Sequence, residues 1–282
     1  MSLLGKLFGQ KNPPASAPAR SCDAAFAPPA VPAPPADPAK DPNMIRVFDA
    51  YGRELFITKQ HWRDSVLLGH IEKVWNQADE LAQVIIQSLH DGFAADMLKP
   101  AVHLLEIDPQ QERAATVLAI IYRELKRPDD AEKVLQNFIV RHGETGSVLT
   151  NLAKVYSDRG QQDRSLQTLW RGLQLDPNQD NGMGWYEVIH REKSPAEGLA
   201  ALRRVAAIPG SWRARLWLAR DALVRRDLAA ALAFYEEALA VAPRSPPADM
   251  LQQISGDFGK AHQLFGEQLP KLLNELNEVL AA

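Results

Sequence analysis

The side chains that could catalyse a reaction are scattered along this chain rather than grouped. There are seven histidines and one cysteine among 282 residues. No histidine lies in an H-E-x-x-H or comparable zinc-binding spacing, and no P-loop, G-x-G-x-x-G or G-x-S-x-G motif occurs. One weak grouping remains, in which Asp176 or Glu187 acts with His190 in an unrecognised hydrolase. No base–nucleophile pair accompanies these residues, so the sequence predicts no catalytic residue, no metal site and no cofactor.

Overall charge and composition exclude further classes of protein. The formal net charge is −3 and the isoelectric point is near 6.2, so no basic field favours nucleic acid. No apolar run reaches the roughly 18 residues that span a membrane, and the apolar start at residues 1–8 is too short for a signal peptide. Cys22 is the only cysteine, which excludes an internal disulfide. We therefore expect a cytoplasmic protein without an integral membrane segment or a nucleic-acid partner.

A fixed period of 34 residues is the strongest pattern in the sequence. The pair Asp108-Pro109 recurs 68 residues later as Asp176-Pro177, and residues 118–122 match residues 152–156. Such a period is typical of stacked helical hairpins. The frame predicts five hairpins, at 78–111, 112–145, 146–179, 180–211 and 212–245.

In this frame, small residues occur where the two helices of a hairpin would cross closely, because larger side chains would hold the helices apart. They are Ala119, Ala153 and Ala219 in the first helices, and Ala131, Ser165, Gly198 and Ala231 in the second helices. These positions resemble the tetratricopeptide repeat family over residues 78–245. The resemblance implies an all-α fold, a right-handed superhelical solenoid of helical hairpins, here of a bacterial type with an N-terminal β-hairpin extension.

Two of the five hairpins depart from the family pattern. Hairpin 78–111 has Ile85 and Met97 where small residues belong. Hairpin 180–211 is two residues short and has Glu187 at the small position of its first helix. We expect the two helices of the latter hairpin to be splayed or displaced.

The residues before the repeats divide into a tether and a folded cap. Residues 1–43 are rich in proline and alanine and are predicted to be a disordered tether. Residues 44–77 are predicted to form a β-hairpin and a helical N-terminal cap, in which Thr58 caps a short helix. A second helix is expected from about Val66 to Trp75.

Residues 246–282 are predicted to be C-terminal capping helices that cover the last repeat, since solenoids need closed ends. An apolar stripe with spacings of 4, 3, 4 and 3 supports a helix there. Its members are Phe265, Leu269, Leu272, Leu276 and Val279. The alternative is a short dimer helix.

The resemblance also implies where a partner binds. In tetratricopeptide arrays one face of each first helix lines a concave groove, and the matching positions here include Arg113, Asn151, Lys154, Trp185 and Arg220. Asn151 takes the place of an amide that clamps a peptide backbone, the three cations suit acidic groups, and Trp185 suits an apolar anchor. We therefore predict a non-enzymatic scaffold or adaptor that binds a peptide or partner protein. The alternatives are a self-assembling structural subunit and an accessory subunit of an enzyme complex.

The start of the tether offers a second binding mode. Leu3, Leu4, Leu7 and Phe8 would form one apolar helical face, with two lysines nearby. Such a face at the end of a flexible tether suits a docking peptide for a partner's groove or for the protein's own groove. A peripheral contact with a membrane through residues 1–11 is a further alternative, and so is a terminus without function.

Overall fold

The computed structural model describes residues 40–48, 51–243 and 245–265, with side chains as far as residue 257. The chain divides into two compact units, residues 1–57 and 58–282. Near the end of the first unit, strands β1 (Met44–Phe48) and β2 (Glu54–Thr58) pair as a two-stranded sheet. The predicted β-hairpin is therefore confirmed. The predicted tether lies outside the described residues as far as residue 39.

The second unit begins with one continuous helical stretch. Thr58 Oγ1 accepts a hydrogen bond from the backbone N–H of His61 at 3.2 Å, and so caps α1 (Lys59–Trp62) as predicted. A π-helical turn (Arg63–Leu67) leads directly into α2 (Leu68–Val74). The sequence indicated two separate helices here, whereas the π-helical turn joins them without a break.

Ten helices follow in five pairs. They are α3 (Ala78–His90) with α4 (Ala94–Ile107), α5 (Gln111–Glu124) with α6 (Pro128–His142), α7 (Gly146–Asp158) with α8 (Gln162–Leu175), α9 (Asp180–Arg191) with α10 (Pro195–Ala206), and α11 (Arg213–Val224) with α12 (Leu228–Val241). Three residues join the two helices of each pair. Each pair packs against the next, and α3, α5, α7 and α9 form a layer of first helices. This sequential packing is that of a helical-repeat solenoid.

The predicted small residues lie at the helix crossings. Six of them are at most 1 % exposed, namely Ala119, Ala131, Ala153, Ser165, Ala219 and Ala231. The Ser165 hydroxyl donates a hydrogen bond to the Ala153 carbonyl at 2.8 Å, which shows how closely α8 approaches α7. These contacts confirm closely crossing helical hairpins within an all-α fold.

The two irregular hairpins have buried side chains or close contacts at their helix crossings. Ile85 and Met97 are both fully buried between α3 and α4. In the fourth hairpin, a Cβ atom added at Gly198 would lie only 3.2 Å from the Cα atom of Arg191. The two helices are therefore not splayed at this crossing, because the missing side chain of Gly198 lets α10 approach α9. A displacement of this hairpin stays a prediction.

A last described helix, α13 (Ala248–Phe265), packs against α11. Met250 and Ile254 join the buried cluster around Tyr235 and Leu216 in the fifth hairpin. The predicted stripe beyond this helix, at Leu269, Leu272, Leu276 and Val279, lies outside the described residues, as does the Phe265 side chain.

Candidate functional site

Lys154 on α7 lies against α9 of the next hairpin. Its Nζ donates a hydrogen bond to Asn181 Oδ1 at 2.7 Å and lies 5.9 Å from the centre of the Trp185 ring. Asn181 and Trp185 are four residues apart and so share one face of α9. We name these three residues, with Arg123 and Asp158, the Lys154 cluster. The structure thus brings together two predicted binding residues, Lys154 and Trp185, from separate hairpins.

The carboxylate next to Lys154 on its own helix is already paired. Asp158 accepts hydrogen bonds from Arg123 of α5, from Nε at 2.7 Å and from Nη2 at 3.1 Å. This two-pronged geometry is the one that arginine and carboxylate groups prefer. Within the described residues, Lys154 makes a hydrogen bond to an amide oxygen but forms no ion pair with a carboxylate.

The surroundings of Lys154 lower the pKa of its ammonium group from 10.5 to about 8. Burial is the largest cause, because a half-buried ammonium group loses the hydration that favours its charged form. The positive charge of Arg123 lowers the pKa further, and the negative charge of Asp158 opposes both effects only in part. The ammonium group of Lys154 is therefore partly desolvated, and it has no ion-pair partner among the described residues.

Asn151 lies one turn before Lys154 but is not an exposed clamp. It is only 3 % exposed, and its Nδ2 donates to the Ser147 carbonyl of the same helix at 2.9 Å. Its buried Oδ1 has no hydrogen-bond partner within the described part of the chain. A buried amide oxygen without a donor costs free energy. Asn151 therefore has one buried acceptor that no described residue satisfies.

Arg113 already has two acidic partners. It donates to both carboxylate oxygens of Asp108 at 2.8 and 2.9 Å, and its Nη2 lies 2.7 Å from Asp79 Oδ1. The hydrogen bond with Asp108 is the main cause that raises the pKa of Arg113. Because the Asp108 side chain is fully buried, Arg113 holds the start of α5 to the turn that precedes it.

Arg220 is likewise engaged with its own chain. Its Nε donates to Asp257 Oδ1 of α13 at 2.7 Å, and the other carboxylate oxygen of Asp257 accepts from the Tyr235 hydroxyl at 3.1 Å. Asp257 is 1 % exposed. Three of the five predicted binding residues are therefore buried or paired within the chain, at Arg113, Asn151 and Arg220.

A second indole lies beside the Lys154 cluster. A Cβ atom added at Gly184 would lie 3.2 Å from the edge of the Trp217 ring, so Gly184 lets this ring rest on α9. Trp185 and Trp217 are both partly buried and pack on the same core cluster. The Trp185 ring places apolar surface next to the ammonium group of Lys154, and the Trp217 ring lies against the adjacent Gly184.

Asn181 and Asp158 fall at groove-lining positions of the repeat frame, but the sequence assigned neither of them a binding role, although both contribute to the geometry of the cluster. Their signal is weak, since polar residues on a helix surface are common and neither has a distinctive neighbour. Only the packing of α5, α7 and α9 shows which charges neutralise each other. The predicted docking tip, at Leu3, Leu4, Leu7 and Phe8, lies outside the described residues.

The residues of the rival hydrolase hypothesis do not form a catalytic arrangement. His190 is 7 % exposed, and its Nδ1 lies 2.8 Å from the Tyr186 carbonyl of its own helix. Asp176 instead accepts a hydrogen bond from the backbone N–H of Asn178 in a turn. Glu187 is buried, and its nearest charge is Arg191 at 3.5 Å. Among the described residues, no group of three or more histidine, cysteine, aspartate and glutamate side chains is placed to hold a metal ion.

Comparison with known proteins gives likeness in fold only. No protein-family model matches the chain, and no curated protein matches it. Solved structures that are similar include a thermophilic TPR protein of Thermus thermophilus, with 18% identity, a TM-score of 0.39, and coverage of 66% of this chain and 100% of that one. Yeast Tom70 is 17% identical, with a TM-score of 0.43, and the match covers 79% of this chain and 47% of Tom70.

A further similar structure is YrrB, described as a TPR protein with an unusual peptide-binding site. It is 16% identical with a TM-score of 0.35, and the match covers 68% of this chain and 97% of YrrB. Among the described helices, none combines the length and the apolar character needed to cross a membrane.

Proposed function

We propose that this array of tetratricopeptide-type hairpins is a non-catalytic scaffold, which holds a peptide or a partner protein against its layer of first helices. The contact is made at Lys154 and Trp185. The observation that carries the proposal is the half-buried ammonium group of Lys154, which has an indole beside it and no carboxylate partner among the described residues.

The chemistry of the Lys154 cluster favours a partner segment that presents a carboxylate next to an apolar side chain. The carboxylate would pair with Lys154. Burial disfavours the charged form of Lys154, and a carboxylate next to it would stabilise that form. The apolar side chain would cover the exposed parts of Trp185 and Trp217, and aromatic rings of this kind dominate many interfaces. Asn151 adds no contact to the partner in this proposal, because its side chain and its Oδ1 are buried.

Two of the originally predicted residues take a different role in this proposal. Arg113 and Arg220 hold neighbouring helices together, because their guanidinium groups already have buried carboxylate partners. The contact surface is therefore smaller than the sequence implied. The docking tip at residues 1–11 and the location in the cytoplasm stay predictions from the sequence alone.

The first test compares partners captured from lysate of the source organism by the wild-type chain and by Lys154→Met, with quantification by mass spectrometry. Methionine keeps the apolar stem and removes the charge. The captured partner is then titrated, and we expect its affinity to fall about 10- to 100-fold, as for loss of a hydrogen bond to a charged group. Lys193→Met, at an exposed residue between α9 and α10, is the matched control. A partner that binds Lys154→Met and the wild type equally would refute the proposed site.

Proton uptake gives a second readout that a merely structural lysine would not produce. A ligand carboxylate favours the charged form of Lys154 and so raises its pKa from about 8. Binding at pH 8 must then take up protons, and the affinity must fall as the pH rises above about 8. Titration calorimetry in two buffers of different ionisation enthalpy measures this uptake, and Lys154→Met must abolish it.

A further inference from the structure

Ion pairs between arginine and aspartate side chains join successive odd-numbered helices of the array. They are Arg113–Asp79 between α5 and α3 at 2.7 Å, Arg123–Asp158 between α5 and α7 at 2.7 Å, Arg213–Asp180 between α11 and α9 at 3.5 Å, and Arg220–Asp257 between α11 and α13 at 2.7 Å. Among the described residues, opposite charges therefore meet at four of the five junctions from α3 to α13.

The remaining junction, between α7 and α9, has a cation but no carboxylate. Lys154 of α7 donates from Nζ to Oδ1 of Asn181 on α9 at 2.7 Å. Asparagine has nearly the size and shape of aspartate, and its amide oxygen accepts a hydrogen bond without a negative charge. Asn181 thus has the place of the aspartate at this junction and lacks its charge.

Two aspartates close to this junction in the sequence are paired elsewhere. Asp158 of α7 pairs with Arg123, and Asp180, the residue before Asn181, pairs with Arg213 of α11. The positive charge of Arg123 and the negative charge of Asp158 act on Lys154 in opposite directions. The described part of the chain therefore gives Lys154 a hydrogen-bond acceptor and no counter-charge of its own.

Asn181 keeps the ammonium group of Lys154 at the surface beside the indole of Trp185. Asn181 is exposed, and the centre of the Trp185 ring lies 5.9 Å from Lys154 Nζ. An aspartate of the same shape would hold the ammonium group in the same place but would neutralise it. A carboxylate of the same chain acts at an effective concentration of about millimolar or more, so a weak external carboxylate would compete with it poorly. The amide therefore decides whether Lys154 is available to a partner.

We propose that Asn181 determines the charge specificity of this site, because its neutral amide positions Lys154 for a carboxylate that the partner supplies. That carboxylate takes the role of the aspartates at the other four junctions. The inference rests on the proposed function and names the partner group that meets Lys154. Asn181 is a positioning residue here, since it acts through Lys154.

The variant Asn181→Asp tests this proposal in the full chain. Lysine side chains are labelled with carbon-13 at Cε and observed by NMR, and the Lys154 signal is identified by its loss in Lys154→Met. The probe is phenylpropionate, a carboxylate next to an apolar ring, and phenylpropanamide is its neutral counterpart. Asn137→Asp, at an exposed residue of α6, is the matched control that adds the same charge in another hairpin. An acidic residue suits the first turn of a helix, so we expect Asn181→Asp to fold, which circular dichroism checks.

We expect phenylpropionate to bind the wild type and Asn137→Asp alike, and Asn181→Asp at least about tenfold more weakly, as for loss of a hydrogen bond between charged groups. Phenylpropanamide should not distinguish the three proteins. The pKa of Lys154 should rise in Asn181→Asp from about 8 toward the ordinary 10.5, because the new carboxylate stabilises the charged form.

Two further outcomes separate this inference from the proposed function. If the wild type and Asn181→Asp bound phenylpropionate equally, or if the pKa of Lys154 were the same in both, the role of Asn181 would be overturned. The contact at Lys154 would still stand in that case, provided that Lys154→Met lost the probe. Equal affinities of Lys154→Met and the wild type for phenylpropionate would instead refute the contact at Lys154, and this inference with it.

Discussion

Gly198 of α10 leaves the space that the carboxylate of Glu187 on α9 occupies. A Cβ atom added at Gly198 would lie 2.9 Å from Glu187 Oε1 and 2.8 Å from the Cβ atom of Arg191. The other hairpins with the family pattern place two small residues at this crossing, whereas the fourth hairpin combines a large residue with one that has no side chain. The close approach of the two helices is thus kept despite the buried charge.

Substitution of Gly198 by alanine should therefore destabilise the protein. The added methyl group meets backbone at 3.2 Å, so the helices must shift, and overpacking of this kind costs about 1–3 kcal/mol against a gain in helix propensity of about 1 kcal/mol. Gly256→Ala in α13 is the matched control, because open space surrounds that position. Thermal unfolding should show a lower Tm for Gly198→Ala and an equal or higher Tm for Gly256→Ala. A higher Tm for both variants would contradict the close crossing.

Glu187 should make the stability of the protein depend on pH. Burial raises the pKa of its carboxyl group above the usual 4.5, and Arg191 opposes this shift. In the range between 4.5 and the raised pKa, the folded state binds more protons than the unfolded state, so the free energy of unfolding falls as the pH rises. At pH values above the raised pKa, burial of the ionised Glu187 carboxylate lowers the free energy of unfolding by its full amount.

Glu187→Gln removes this titration and should be more stable than the wild type at pH 7. The difference should disappear below about pH 4, where the wild-type carboxyl group is protonated in both states. Urea unfolding of the two proteins between about pH 4 and pH 8 measures the effect. A constant difference across that range would show that the ionisation of Glu187 carries no cost.

Asn178 should be a strong determinant of the junction between the fourth and fifth hairpins. Its Oδ1 accepts hydrogen bonds from the backbone N–H groups of Trp212 and Arg213 at 2.9 and 3.0 Å, and its Nδ2 donates to the Gly210 carbonyl at 2.9 Å. Alanine at this position loses all three bonds, which should cost about 2–4 kcal/mol.

Hydrogen exchange measured by NMR locates this effect. In Asn178→Ala the amides of Trp212 and Arg213 should exchange faster, whereas amides within α7 should change little because repeats respond locally. Asn137→Ala, at an exposed residue of α6, should leave the exchange of Trp212 unchanged. Unaltered protection of Trp212 and Arg213 in Asn178→Ala would remove Asn178 from this role.

Two connections within hairpins should become more stable with glycine. The middle residues Lys126 and Arg226 have φ of +59° and +60°, a left-handed conformation that costs a side-chain-bearing residue about 1–2 kcal/mol. Lys126→Gly and Arg226→Gly should each raise the free energy of unfolding by about 0.5–1 kcal/mol after the entropy cost of glycine. Lys193 occupies the middle of the equivalent connection without a positive φ.

Lys193→Gly should therefore lower the free energy of unfolding by about 0.5–1 kcal/mol, since it adds only flexibility to the unfolded chain. Denaturant unfolding of the three variants measures the contrast. If all three substitutions changed the free energy of unfolding in the same direction, the left-handed conformation would not explain a preference for glycine at Lys126 and Arg226.

The sequence by itself determined the repeat and the way in which each hairpin folds. The period of 34 residues and the small residues at Ala119, Ala131, Ala153 and Ser165 are local requirements of two helices that cross closely, so they are visible in the chain without its partners. The N-cap at Thr58 is visible for the same reason, because a cap depends on residues only three apart. The resemblance to tetratricopeptide arrays also predicts that Lys154 and Trp185 lie on the surface that the first helices share.

Only the tertiary structure decided which polar residues of that surface are free. Arg113, Arg220 and Lys154 are equivalent cations in the sequence, yet Asp108 and Asp257 neutralise the first two, while Arg123 captures the aspartate nearest to the third. Ion pairs between helices depend on distances of a few ångströms across hairpins, and residue spacing along the chain does not encode them. The combination of a large residue at Glu187 with a glycine at Gly198 is likewise visible only in the tertiary structure, because the Glu187 side chain occupies the space that the missing side chain of Gly198 leaves.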